Sequence, residues 1–413
     1  MSSNRADPRR GGLAALLGAL ALLLSGCGAW FGVADEPTED ERAAALLAGA
    51  EHHLEQRGRA ITEERRRLFV RGLSRDRDLL ASERRRFANL RRLPLQTLEY
   101  ALVPDSFRDL GGEATALVER HLQLQGYDAE PVVTVKRFSW VTDGEDGEEL
   151  RLGGVEPVAG QGSVDPWDAG AIRVRASGGV LGIFDPGSVG AAGDLLEEVR
   201  RGVAHVGADV PYDWDRRVVV YALSETDVLA SIEDLPGGDP ERLDAVAFPV
   251  RVHPESAQVA DHRFLLHPRM LQRDRDSRSR LIRHELVHVA LAHRDDRVPT
   301  WLAEGIAEYV SVRPVPEQQR TISREALDLA TSGPDGMPSN EQFNGPRSGA
   351  NYGLSWWACE YIADAYGEPM LWDLVDAFGR SDRDPDRVLR DALGIGSEEL
   401  AGHAARLIVA TFG

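Results

Sequence analysis

The alternation of hydrophobic and polar residues predicts two domains after an amino-terminal segment. A turn-rich stretch at 185–190 separates them, and we place the boundary after residue 188. In the first domain, residues 41–188, stretches with helical spacing are mixed with strand-like stretches. The predicted helices cover 43–59, 79–90 and 114–124, and the predicted strands cover 97–102, 132–141 and 172–176. Helices packed on a curved antiparallel sheet give this domain an α+β fold.

The second domain, residues 189–413, is predicted to begin with a sheet and to continue with helices. A helix over 194–206 precedes the strands, which cover 218–223, 245–252 and 264–266. Two strongly apolar helices follow, and the remaining predicted helices cover 360–366, 384–393 and 398–408. Asp384 and Pro385 suit the cap and first turn of the middle one. The fold class is therefore α+β, with a mainly helical carboxy-terminal part.

The first apolar helix, residues 281–293, carries two histidines four positions apart. His284 and His288 project from one face because four residues make about one helical turn. Glu285 lies beside them, close enough to a metal-bound water to act as a general base. The helix leaves little surface to water, so its ionisable groups need partners. We interpret the histidines as metal ligands; the alternative is a core helix whose histidines bond to the backbone.

The next helix supplies the ligand that such a site still needs. A catalytic zinc has three protein ligands and one position for water. In the segment 299–310, Trp301, Glu304 and Glu308 share one helical face, and Gly305 lets the helix lie close to another backbone. We predict Glu304 as the third ligand and Glu308 as a group that orients a liganding histidine. The alternative is that both glutamates lie on a solvated face.

These two motifs resemble those of the gluzincin zinc peptidases, and more closely those of bacterial proteins with a peptidase MA-like domain. The matching sequences are His-Glu-Leu-Val-His at 284–288 and Trp-Leu-Ala-Glu-Gly-Ile-Ala-Glu-Tyr-Val at 301–310. The resemblance implies one zinc per chain, held by the two histidines and Glu304, with Glu308 bracing a histidine. The interval between the motifs is shorter than in the thermolysin-like branch, which implies a differently built substrate cleft.

The resemblance also implies a reaction, the hydrolysis of peptide bonds. Zinc polarises a water and the scissile carbonyl in this family, and the residue at the position of Glu285 takes the water proton and passes it to the leaving amine. A gluzincin usually offers a Tyr, His or Arg to the developing oxyanion. Tyr352, Tyr309 and an unplaced arginine are the candidates here. We favour Tyr352, because a similar tyrosine-containing helix follows the ligand in the resembled family; its alternative role is packing.

The amino terminus predicts export and a lipid anchor. Arginines precede an apolar run over 13–24 that is too short for an ordinary transmembrane helix. The sequence Leu-Ser-Gly-Cys at 24–27 resembles the bacterial lipobox. This implies removal of a signal peptide, residues 1–26, and acylation of Cys27, for example by palmitate. Residues 27–40 are then an acidic tether, and the protein is anchored through Cys27 on the extracytoplasmic side of a bacterial cell membrane.

Charge and cysteine content exclude other classes of function. The formal net charge is -19, from 67 acidic and 48 basic residues, and no basic stripe is evident. We therefore expect no nucleic-acid partner. If Cys27 carries lipid, Cys359 has no partner for an intramolecular disulfide, and we interpret it as a small buried residue.

The combined prediction is a membrane-anchored, extracytoplasmic zinc endopeptidase whose partners are a peptide or protein substrate and the membrane. The rival hypothesis is a non-catalytic lipoprotein that keeps a zinc-binding fold as a binding or structural module. Glu285 favours the enzyme, because a purely structural site needs no general base. The first domain resembles, by the order of its elements, the cone-shaped nuclear transport factor-like fold, which implies substrate docking or spacing. The sequence leaves the oligomeric state open.

Overall fold

The computed structural model describes residues 38–143, 149–161, 164–232, 235, 238–292, 294 and 297–413. The chain divides into two compact units, Met1–Arg42 and Ala43–Gly413. In the first unit, Thr38 and Glu41 exchange hydrogen bonds at the start of a helix. The predicted signal peptide, Cys27 and most of the predicted tether lie outside the described residues.

Helices and an antiparallel sheet form the amino-terminal part of the described chain. The elements are α1 (Glu39–Thr62), α2 (Arg66–Arg71), α3 (Arg77–Leu90), β1 (Leu95–Leu102), β2 (Arg108–Asp109), β3 (Glu113–Leu124), β4 (Val132–Asp143), β5 (Glu149–Pro157) and α4 (Pro166–Ala169). The strand order is β1-β3-β4-β5, with β2 also paired to β3. The predicted helices at 43–59 and 79–90 and the predicted strands at 97–102 and 132–141 are confirmed.

The stretch 114–124 is a strand, so the prediction of a helix there is wrong. This strand, β3, pairs antiparallel with β1 on one side and β4 on the other. Its side chains alternate between a buried and a partly exposed face. Arg120 occupies the buried face, where it pairs with Asp165 and Asp168. A charged residue at a core position concealed the two-residue period, and pairing within the sheet outweighed the helix propensity of the sequence.

A second, mixed sheet lies at the centre of the larger unit. Its strands are β6 (Arg173–Ser177), β7 (Val180–Phe184), β8 (Val218–Ala222), β9 (Ala245–Arg251) and β10 (Val259–Leu266). They lie in the order β6-β7-β8-β10-β9, with parallel pairing of β8 to β7 and to β10 and antiparallel pairing at both edges. The predicted strands at 172–176, 218–223, 245–252 and 264–266 are confirmed.

The two faces of this central sheet belong to two different hydrophobic cores. Along β8, the side chains of Val218 and Val220 lie in a core with the carboxy-terminal helices. Those of Val219 and Tyr221, which point the other way, lie in a core with the first sheet and its helices. Strands β6 and β7 precede residue 188 yet pair in the central sheet. The division into domains at that residue stays a prediction.

The rest of the described chain is almost entirely helical. The helices are α5 (Ala192–Asp209), α6 (Asp227–Ala230), α7 (Arg275–Leu291), α8 (Thr300–Val312), α9 (Arg324–Ser332), α10 (Asn340–Phe343), α11 (Ser348–Tyr366), α12 (Pro369–Gly379), α13 (Pro385–Leu393) and α14 (Ser397–Phe412). The predicted helices at 194–206, 360–366, 384–393 and 398–408 are confirmed, and Asp384 caps α13 as expected. The fold class is α+β, as the sequence predicted.

Two further features concern the helices of the described residues. Among the helices of the described residues, none combines the length and the apolar character needed to cross a bilayer. Cys359 is buried and unpaired in α11, which confirms the prediction of a small core residue.

Candidate metal centre

Helices α7 and α8 carry the predicted metal ligands and pack against each other. Asp274 caps α7 by accepting a hydrogen bond from the Ser277 amide, so the helix starts three turns before the first histidine. The apolar residues of α7 and α8 lie in one core, which fixes the two helices side by side. This packing brings His284 and His288 of α7 up to Glu304 of α8.

The close packing of α8 on α11 depends on Gly305. A Cβ atom at this position would lie 2.5 Å from the Ser355 carbonyl oxygen and 2.8 Å from the Cys359 sulfur. Such distances exclude any side chain at position 305, which confirms the predicted close approach of two backbones. Glu304, the adjacent residue, is thereby held at a fixed depth beside α7.

Three candidate ligand atoms form a small triangle. Nε2 of His284 lies 3.2 Å from Nε2 of His288 and 3.1 Å from Oε2 of Glu304, and the third side, from His288 to Glu304, is 3.3 Å. Ligands that hold a metal at about 2.1 Å with tetrahedral angles lie about 3.4 Å from one another. The triangle therefore has the dimensions of one face of a tetrahedral metal site. His284, His288 and Glu304 can hold a metal ion.

The other ring nitrogen of His284 is bound by Glu308. Its Nδ1 lies 3.3 Å from the carboxylate of Glu308, which also pairs with Arg280. Because a carboxylate accepts, Nδ1 must carry the proton that it donates. When the imidazole is neutral, as metal binding requires, the lone pair of Nε2 points toward His288 and Glu304. This is the arrangement of a metal-ligating histidine oriented by a carboxylate.

Electrostatics at the triangle also favour a cation. Burial alone would lower the pKa of His284, but its hydrogen bonds to Glu304 and Glu308 outweigh burial and raise that pKa well above its usual range. The pKa of His288 is raised in the same way, mainly by Glu304. The two histidines in turn hold the pKa of Glu304 below its usual range, although burial opposes this shift. The cluster thus attracts positive charge, whether protons or a metal ion.

Glu285 lies next to the triangle and is free of the ligand set. Its side chain is buried, and burial raises its pKa above the usual value for glutamate. Glu285 lines one cavity together with Ala247 of the edge strand β9. A carboxylate with a raised pKa is a better base at neutral pH than an ordinary glutamate. Glu285 is thus placed to accept a proton.

Of the two candidate tyrosines, the structure brings Tyr352 to the site. Tyr352 begins the second turn of α11, packs edge-on against Phe343, and its ring centre lies 6.1 Å from that of His284. Burial and the nearby charge of Glu304 raise the pKa of its hydroxyl well above the usual value. Tyr309 packs instead beside the guanidinium of Arg313, 5.8 Å from its ring centre.

The candidate site opens into a cleft with two arms. One arm has a volume of about 530 Å³ and the other about 590 Å³. Five residues line both arms, and they include His284, Glu285 and Tyr352. The second arm runs along β9, which is an edge strand of the central sheet. Of the three triangle residues, His284 lines both arms, whereas His288 and Glu304 line only the larger one.

The sequence analysis did not identify Arg280, which pairs with Glu308 and through it contacts the candidate ligand His284. Arg280 lies one turn before His284 on α7, pairs with Glu308, and stands 5.6 Å from the Trp356 ring. Its four-residue spacing from His284 was the signal that the sequence contained.

Comparison of the chain with family models, with curated proteins and with solved structures found no match. The gluzincin resemblance therefore depends on the two motifs alone.

Proposed function

We propose that the protein is a zinc-dependent endopeptidase of the gluzincin type. The observation that carries this proposal is the triangle of three ligand atoms, with sides of 3.1, 3.2 and 3.3 Å, beside a buried glutamate outside the ligand set. A purely structural site has a closed set of four ligands, whereas three protein ligands leave a position open. The two arms of the cleft meet at His284, Glu285 and Tyr352, which suits a substrate that extends beyond the bond being cut on both sides.

Zinc is the metal that suits this donor set best. Two imidazole nitrogens and one carboxylate oxygen form the ligand set of several catalytic zinc sites, whereas calcium and magnesium prefer oxygen ligands alone. When bound, zinc supplies a Lewis acid that polarises a carbonyl and lowers the pKa of water. His284 and His288 would hold it with Glu304, and Glu308 keeps His284 in the required tautomer.

Two residues beside the triangle have separate roles in peptide hydrolysis: Glu285 transfers protons, and Tyr352 stabilises the developing negative charge. Glu285 takes a proton from the attacking water as the water oxygen bonds to the scissile carbonyl carbon. It then delivers that proton to the amide nitrogen as the carbon–nitrogen bond breaks. The hydroxyl of Tyr352, which lines both arms of the cleft, donates a hydrogen bond to the carbonyl oxygen as negative charge develops there.

The decisive experiment measures zinc content and peptide cleavage in matched variants. We expect about one zinc per chain in the wild type and in Glu285→Gln, and loss of zinc in His288→Ala. Cleavage of a mixed peptide library should be lost in Glu285→Gln although zinc is retained. Zinc binding without cleavage by any variant would favour the rival, a non-catalytic binding module. A folded wild type that binds no zinc would contradict the proposed function altogether.

We further propose that the protein acts outside the cytoplasm, anchored through an acylated Cys27. This depends on the sequence at 24–27 and on the apolar run before it. Expression in a bacterial host should place the wild type in the membrane fraction, labelled by a radioactive fatty acid. The Cys27→Ala variant should not be labelled. If it is labelled as strongly as the wild type, Cys27 is not the site of acylation.

A further inference from the structure

The two arms of the cleft differ in chemistry. The arm of about 590 Å³ is lined by apolar residues of β9, such as Val246 and Phe248, together with the metal-site residues and one arginine, Arg251. The arm of about 530 Å³ is rich in charge, and its cations are Arg242, Arg273 and Arg280. The same lining also holds three acidic residues, Asp244, Glu285 and Glu308. We name this part of the cleft the basic arm.

The acidic groups of the basic arm are already engaged. Asp244 is bonded to Arg269, which lies outside the arm, at 2.6 Å. Glu308 pairs with Arg280 and with His284. Glu285 is the proposed general base. The acidic side chains in the lining therefore do not neutralise the other two arginines.

Arg242 and Arg273 remain available for a ligand. Both side chains are exposed, and among the described residues neither has an acidic partner. Two short 3₁₀ segments place them: Arg242 ends the segment Pro240–Arg242 before β9, and Arg273 directly follows the segment Pro268–Gln272 after β10. These segments lie side by side because Ala245, the first residue of β9, pairs with Leu266, the last residue of β10.

Two other arginines hold these segments in place. Arg269 bonds to Asp244 and to the carbonyl oxygens of Glu241 and Leu243, which ties the segment after β10 to the one before β9. Arg278 of α7 donates to the carbonyl oxygen of Arg273 at 3.1 Å and pairs with the buried Glu198. The backbone that carries Arg242 and Arg273 is therefore fixed before any ligand arrives, which reduces the entropy lost on binding.

We propose that the basic arm binds a carboxylate of the peptide substrate, a few residues from the bond that is cut. This inference rests on the proposed peptidase function for the identity of the ligand as a peptide. A guanidinium presents paired donors that match a carboxylate, and two of them on a fixed backbone select an acidic group over a neutral one of the same shape. The carboxylate belongs to an Asp or Glu side chain or to the carboxy terminus of the peptide.

The test measures peptide binding to Glu285→Gln and cleavage by the wild type. The probes are fluorescent octapeptides from the cleavage screen, or from a random library if none is cleaved, with Glu or Gln placed at each position in turn. Each is made with a free and with an amidated carboxy terminus, which separates the two sources of the carboxylate. We expect at least one acidic peptide to bind about tenfold more tightly than its neutral match, and less so at high salt.

Arginine variants show whether the basic arm causes that preference. When Arg242→Ala and Arg273→Ala are added to Glu285→Gln, the affinities for acidic and neutral peptides should differ by no more than about twofold. Replacing the same two arginines by lysine should restore part of the preference for acidic peptides. The control is Arg67→Ala with Arg324→Ala, which removes the same charge from exposed positions outside the cleft. Equal binding of acidic and neutral peptides, or a preference that survives the alanine pair, would overturn the proposal. If the preference depends on the two arginines but no peptide is cleaved, carboxylate binding by the basic arm is supported and only the peptidase function is contradicted.

Discussion

Glu308 is the residue that fixes how His284 presents its lone pair, although it contributes no ligand atom of its own. Its carboxylate lies 3.3 Å from Nδ1 of His284 and also pairs with Arg280. Replacing it by Gln should weaken zinc binding about 10- to 100-fold, because the amide does not hold the imidazole in one tautomer as a charged carboxylate does. Competition with a chromogenic chelator measures the affinity. Glu341→Gln, at an exposed position, is the control, and an unchanged affinity in Glu308→Gln would show that Glu308 does not orient the ligand.

Tyr352 should matter for the rate of reaction rather than for the metal. We expect Tyr352→Phe to keep zinc and to lose at least about tenfold in kcat, because one donor to the oxyanion is removed while the ring still packs on Phe343. Tyr309→Phe, which alters a tyrosine beside Arg313, should keep full activity. Steady-state kinetics with a cleaved peptide gives both values. Full activity in Tyr352→Phe would rule out the oxyanion role.

The sequence predicted which three side chains come together as a possible metal site because they are local. His284, His288 and Glu304 lie on two consecutive helices, and helical geometry sets which side chains share a face. The sequence could not choose between Tyr352 and Tyr309, since that choice depends on how α11 packs across α8. The basic arm was also unpredictable, because β9 and β10 bring its two arginines together from positions 242 and 273.

At the scale of elements, the contact between α8 and α11 sets the depth of the metal site. Gly305→Ala would place a methyl group against the Ser355 carbonyl oxygen, so the two helices would have to separate. We expect a loss of about 3 kcal/mol in the free energy of unfolding, measured by urea denaturation, together with weaker zinc binding. Gly402→Ala in α14 is the matched control, because its Cβ would only meet the end of Arg406 at 3.5 Å. That variant should be as stable as the wild type or more stable by up to about 1 kcal/mol. Equal stability of the two variants would refute the close contact.

A buried histidine joins three elements of the amino-terminal part. His53 of α1 accepts a hydrogen bond from Trp140 of β4 on Nδ1, so its Nε2 carries the proton that it donates to the carbonyl oxygen of Gly72, just after α2. Burial, helped by the nearby Arg57, lowers its pKa to about 4. The neutral ring is therefore the form that fits the fold.

This histidine should make the protein sensitive to acid. Its pKa is depressed in the folded state, so the unfolded chain takes up a proton near pH 6.5 while the folded chain does not until about pH 4. Stability is thus lost as the pH falls from about 6.5 to about 4, by roughly 3 kcal/mol for this group. Urea denaturation should show the advantage of wild type over His53→Gln shrinking across that window. His205→Gln, at an exposed site, should leave the profile unaltered; a constant difference for His53→Gln would contradict the assignment.

Elements were predicted from sequence where the period of hydrophobic residues was clean. α5 and α14 have regular apolar faces, and β8 is a continuous apolar run buried on both sides. β7 is an equally buried run that was not predicted, since so short a run has no period to identify it. β3 was missed because Arg120 stands in its buried row. The acidic partners that make this possible, Asp165 and Asp168, lie more than forty residues away, beyond the reach of any local pattern.

For the molecule as a whole, a metal bound to both α7 and α8 should stabilise the fold. Adding zinc should raise the melting temperature, since a ligand that binds only the folded state stabilises it by about 2.7 kcal/mol at 100 times its Kd. The effect should grow between pH 6 and pH 8. Protons on His284 and His288, whose pKa values are raised without the metal, compete with zinc at low pH.

The stabilisation by zinc should increase with pH for a second reason. Raised histidine pKa values stabilise the metal-free fold below about pH 6.5, and that stabilisation disappears as the pH rises through the folded values. The metal-free protein thus loses stability from these groups as zinc binding improves. Melting curves with zinc and with a chelator at both pH values measure the difference, and His288→Ala, which should show none, is the control. A melting temperature that chelation does not change would contradict a metal that links the two helices.

The central sheet has a consequence for how the protein can be shortened. The first sheet and its helices cover Val219, Tyr221 and Leu265 of the central sheet. A fragment beginning at residue 189 would expose these hydrophobic side chains to water, and it would also lack β6 and β7. Such a fragment should aggregate rather than yield a minimal enzyme. The amino-terminal part therefore shares a hydrophobic core with the central sheet and is needed for the carboxy-terminal part to fold.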